Sequence, residues 1–123
     1  MSKLNSDIQV RTFEFAVEIL KFCKKLQEES KEYNLSNQLM RSGTSIGANI
    51  REGKNGFSKA DFVYKFSISQ KECAESIYWL ELINRIYNQY SKEIAVLLDE
   101  AFQLLKIIKT IIIRTRENSE RLK

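Results

Sequence analysis

No proline occurs anywhere in this chain of 123 residues, and only 4 residues are glycine, so little in it can interrupt a helix. The interruptions that exist are three short polar breaks: Glu32-Tyr33-Asn34, Gly53-Lys54-Asn55-Gly56 and Asn88-Gln89-Tyr90. Between them lie four segments, about residues 7–30, 35–53, 58–87 and 91–117, whose apolar residues recur at helical spacing. No segment alternates like a strand, and the scarcity of Gly and Pro excludes collagen-like and turn-rich all-β chains. Breaks this short make consecutive helices antiparallel neighbours. The expected fold is therefore all-α: an antiparallel, up-and-down, left-handed four-helix bundle, one domain over residues 1–123.

The boundaries follow from local chemistry. Asn34 or Ser36 is placed to cap the second helix, Ser58 with Asp61 to form a capping box for the third, and Ser91 to cap the fourth. Gly53 suits a left-handed position closing the second helix, and the polar run from Glu117 to Lys123 is expected to fray. The third helix carries one core seam, Phe62-Phe66-Ser69-Cys73-Ser76-Leu80-Ile83-Tyr87. The first carries two stripes, Phe13-Val17-Leu20 and Phe15-Ile19-Phe22-Leu26. The fourth also carries two, Ile94-Leu98-Ala101-Leu105-Ile108-Ile112-Thr115 and Leu97-Leu104-Ile111. One bundle buries one stripe per helix, so the surplus predicts self-association.

The chain has no histidine, which removes the commonest general base, the commonest metal ligand and every Ser-His or Cys-His nucleophile pair. No catalytic constellation is visible, and no cofactor or metal is expected. Cys23 and Cys73 sit beside core seams and read as inert buried thiols. Neither a signal peptide nor a membrane span is present in the sequence, so the expected location is cytoplasmic.

The second helix is unusual. Beside its core stripe runs a small and polar seam, Gln38-Ser42-Ser45-Asn49-Glu52, and Gly43 and Gly47 stand four residues apart. Mid-helix glycines cost about 1 kcal/mol each relative to alanine, so a close approach of another helix is the expected compensation. The polar residues Arg41, Asn49, Glu52, Lys71, Glu72 and Glu75 lie near these seams. A carboxylate di-metal site would need Glu-x-x-His pairs that this chain lacks. Two readings stay open: a partly buried network in which Arg41, Lys71 and Asn49 satisfy the glutamates, or a solvated face.

Twenty Lys and Arg against sixteen Asp and Glu leave a net charge of +4. The surplus lies in residues 34–57 and 91–123. Arg51 and Lys54 end the second helix, and Lys106, Lys109, Arg114 and Arg116 run toward the end of the fourth, spread around it as a basic end rather than one clean stripe. In an up-and-down bundle helices two and four are parallel, so both basic ends emerge together. That end either complements the helix macrodipole or contacts phosphates of a nucleic acid.

The stretches FEFAVEILKFCKKL and NQLMRSGTSIGANIREGKNGFSKADFVYKFSISQKECAESIYWLELINRI closely resemble the four-helix bundle proteins of the 23S rRNA intervening sequence over about residues 8–90. The fourth helix matches only in hydrophobic pattern. The resemblance implies a ring-shaped homopentamer, and it places Arg41, Ser42, Ser45, Ile46, Asn49, Ile50 and Glu52 in the family's signature stretch. A related branch resembles the accessory subunit that partners a reverse transcriptase in diversity-generating retroelements. The implied function is a non-catalytic RNA-binding or accessory ring; the alternative is a structural or protein-interaction oligomer with no nucleic-acid role.

Overall fold

The computed structural model describes the backbone of residues 3–121 and the side chains of residues 8–118. Four helices account for nearly all of it: α1 (Lys3–Ser30), α2 (Asn34–Lys54), α3 (Lys59–Ile86) and α4 (Ser91–Arg121), with a single 3-10 turn, Asn88–Tyr90, leading into α4. Each helix packs on its neighbours in sequence and α1 closes the ring against α4. This is the all-α, up-and-down four-helix bundle expected from the periodicity. Two helices run further than expected: α1 begins at Lys3, and α4 continues helical to Arg121, through most of the polar run expected to fray. Leu122 and Lys123 lie outside the described residues.

Several caps differ from expectation. Neither Asn34 nor Ser36 caps α2. The Glu32 carboxylate accepts from Leu35 N at 3.1 Å, while the Ser36 hydroxyl donates back to the Glu32 carbonyl at 2.6 Å. Ser58 does cap α3, accepting from Asp61 N at 3.1 Å, but the returning Asp61 carboxylate takes the N–H of Phe57 at 3.3 Å rather than that of Ser58. Ser91 donates its hydroxyl to the Asn88 carbonyl, so the 3-10 turn rather than an acceptor side chain starts α4. Lys31, not a glycine, takes the left-handed conformation after α1, with φ 56°.

Gly53 is helical, not left-handed; it is glycine for space. A Cβ there would lie 2.9 Å from Cδ1 of the fully buried Phe66. Gly43 and Gly47 serve the same purpose toward α1, facing Ile19 and Thr12, so the close approach expected of this pair is made across the α1–α2 contact.

The core runs the length of the bundle. From α1 it takes Phe15, Ile19, Phe22 and Leu26; from α3, Phe66, Cys73, Leu80 and Ile83. On α4 both stripes serve this one core, because Ile94, Ala101, Ile108 and Ile112 are buried together with Leu97, Leu104 and Ile111. The second α4 stripe is therefore not a surplus for a partner. On α1 the surplus is real: Phe13 and Leu20 are exposed, and Val10 extends the same face. No helix among the described residues is long and apolar enough to cross a membrane.

Candidate nucleic-acid interface

The C-terminal ends of α2 and α4 meet at one end of the bundle. A shallow groove there is lined by Gly53, Lys54, Phe57, Lys59, Phe62 and Thr115, which brings the α2–α3 connection against the last turns of α4. Lys54 is half-buried, and burial lowers its ammonium pKa from the ordinary lysine value. Arg51 is exposed on the α1 side, its guanidinium 5.9 Å from the centre of the Phe13 ring. Lys59 was not singled out from the sequence, where it looks like any first-turn residue.

Helix geometry reorganises the α4 cations. At 100° per residue, Phe102, Lys106, Lys109, Ile113 and Arg116 fall within about 80° of one another, and all five are exposed. Three of the four cations thus make one outer stripe interleaved with two apolar residues, contrary to the expected spread. Arg114 alone points elsewhere, exposed on a different side of the helix. Lys106 lies nine residues before Thr115, about 13 Å along the axis. The stripe therefore climbs the flank of the bundle toward the end that holds the groove, on a face of α4 turned about 100° or more from Thr115. Among the described residues, Glu52, Asp61 and Glu117, all exposed, temper this region.

The expected polar network forms only in part. Arg41 reaches from α2 to two glutamates of α3: its Nη1 lies 3.2 Å from Glu72, and its Nη2 pairs with Glu75. Trp79 Nε1 donates to the same Glu75 carboxylate at 3.3 Å. The Arg41 hydrogen bond holds the Glu75 carboxyl below the usual carboxylate range, and Arg41 is raised in return, chiefly by its bond to Glu75. The other expected members stand apart. Asn49 donates to the Ser45 carbonyl of its own helix at 2.8 Å, Glu52 pairs with Lys65 at 3.3 Å, and Lys71 is exposed outside the network.

The sequence reading missed what actually joins α2 to α3 in the interior. Ser76 donates to Ser42 at 2.8 Å and Ser69 donates to the Ile46 carbonyl at 2.9 Å, all three serines being fully buried. The seam Ser69-Cys73-Ser76 signals it, since small hydroxyls inside a core stripe need partners. Among the described residues, no three His, Cys, Asp or Glu side chains cluster so as to hold a metal ion.

The comparisons agree with this architecture. No curated protein matches the chain. A solved structure of a protein of unknown function from the S23 ribosomal protein family of Bacteroides thetaiotaomicron VPI-5482 is similar, with 38% sequence identity and a TM-score of 0.86. The match covers 89% of this chain and 97% of that one. The pattern of the 23S rRNA-intervening sequence proteins matches residues 5–110, which extends the likeness beyond residues 8–90 and through most of α4. The chain belongs to the 23S rRNA-intervening sequence protein family.

Proposed function

We propose that this chain is a non-catalytic RNA-binding protein that acts as a homo-oligomer, a pentameric ring in the reading drawn from its family resemblance. It would serve as an accessory to RNA or to a nucleic-acid enzyme such as a reverse transcriptase. The observation that carries the reading is the continuous outer stripe of Lys106, Lys109 and Arg116 on α4, rising to the end where Lys54 closes α2. Polyanions are held by such repeated point charges, with little dependence on base sequence. Five copies of a chain of net charge +4 would carry +20 and repeat this stripe around the ring.

The test is binding to single-stranded RNA between low and physiological salt. The wild type is expected to lose affinity steeply with salt. A variant with Lys106, Lys109, Arg114 and Arg116 changed to Gln should show a shallower slope, by roughly 0.7 per phosphate contact removed. Light scattering in parallel should give about five times the 14.4 kDa chain mass. Equal binding by both proteins, with assembly intact, would remove these cations from the interface.

A second reading is a protein-interaction oligomer, favoured by the exposed Val10, Phe13 and Leu20 face of α1. It predicts no RNA binding by the wild type even at low salt.

A further inference from the structure

Phe57 is the most exposed large apolar residue of the described chain, its side chain wholly in solvent. Its position makes that exposure unusual. Phe57 directly precedes the Ser58 cap of α3, where a hydrophobic residue ordinarily folds back onto the fourth residue of the helix. That residue is Phe62, so the pair needed for the staple is present. Phe62 instead stacks inward on Phe66, ring centres 4.0 Å apart and planes 20° apart. Folding thus makes no use of the Phe57 ring, although the Asp61 carboxylate fixes its backbone through a 3.3 Å hydrogen bond. The groove whose lining it joins also includes Lys54, Lys59 and Thr115 of α4.

We propose that Phe57, on the rim of this groove, is a stacking platform for an unpaired RNA base whose flanking phosphate is taken by the exposed Lys59. An aromatic face beside cations in a groove is the chemistry that holds single strands, because every base offers a π-face and every nucleotide a charge. A duplex keeps its bases stacked internally and offers Phe57 nothing. This inference rests on the RNA-binding reading and adds to it the form of RNA recognised.

The experiment compares a short single-stranded oligoribonucleotide with its abasic counterpart of equal length and charge, and with the same sequence as duplex. The wild type is expected to bind the base-bearing strand at least about fivefold more tightly than the abasic one. Phe57→Ala should abolish that difference while leaving the salt slope and melting temperature unchanged, since the ring packs on nothing. Phe57→Trp should retain it, and its added indole fluorescence should be quenched by the base-bearing strand only. Tyr64→Ala removes an exposed aromatic outside the groove and should have no effect. Equal affinity of the wild type for both strands, or unchanged discrimination in Phe57→Ala, would overturn the platform and leave phosphate binding standing. No binding to any strand at low salt would overturn both readings, and would assign the exposed ring to a protein partner instead.

Discussion

Ser76 of α3 donates its hydroxyl to Ser42 of α2 at 2.8 Å, and neither side chain touches solvent. The single Ser76 proton is shared with the Glu72 carbonyl one turn earlier, 3.0 Å away, while the Ser42 hydroxyl donates to the Leu39 carbonyl at 3.3 Å. Two small residues therefore set how closely the helices approach. Ser76→Val is expected to lower stability by about 1–3 kcal/mol, from the stranded Ser42 hydroxyl and the added bulk. Chemical denaturation measures it. The Ser42→Ala/Ser76→Ala pair should cost less than the sum of its single changes, because both partners of one bond are removed together.

Gly53→Ala tests packing against propensity. Alanine gains up to about 1 kcal/mol as a helix former, but its Cβ would meet the Phe66 ring, which is fully buried against Phe62. Overpacking of this kind costs about 1–3 kcal/mol, so the net change should be destabilising. A smaller loss in Gly53→Ala/Phe66→Leu than the two single losses combined, read from melting curves, would confirm the ring as the obstacle.

The Arg41 cluster separates a partly buried pair from an exposed one. Glu72 is only 8% exposed, so Arg41→Ala leaves a buried carboxylate without its cation and should cost about 1–3 kcal/mol. Glu52→Ala removes only an exposed partner of Lys65 and should cost under about 0.5 kcal/mol. The pH dependence has a definite sign. Glu75 is depressed below its ordinary value of 4.5. Its contribution is complete above that value and is lost as pH falls through the lower native value. With Arg41 half exposed, the contribution is under about 1 kcal/mol. Glu75→Gln should flatten that part of the acid limb of a stability–pH profile.

Cys23 and Cys73 should resist thiol reagents in the native protein. Burial pushes both thiols up to about 12, so almost no thiolate exists at neutral pH. Cys73 is also engaged with the Ala101 carbonyl at 3.2 Å. Ellman's reagent should titrate both only after denaturant is added. Rapid native labelling of either would contradict this burial.

Absence of proline, three polar breaks and 3.6-residue periodicity determined four helices and their antiparallel order, because these are local properties of the chain. On α1 the sequence showed two apolar stripes, and only the packing of the neighbouring helices buries Phe15, Ile19, Phe22 and Leu26 and leaves Phe13 and Leu20 exposed. Which stripes were surplus was not legible. On α4 two adjacent stripes share one core, since the width of the buried face depends on how α1 and α3 flank it. Gly53 illustrates the same limit. Its place near a helix end suggested a left-handed cap, yet its reason is a phenyl ring contributed by another helix. The polar seam was visible as composition, but partner choice is a three-dimensional matter: Arg41 reaches Glu72 and Glu75 while Asn49 bonds to its own helix. Phe57 shows the gap most plainly. It stands where a residue before a helix cap would pack on Phe62, yet Phe62 stacks on Phe66 and Phe57 lies in solvent. Local pattern sets which elements form; the competition among side chains for the same space decides what is left outside.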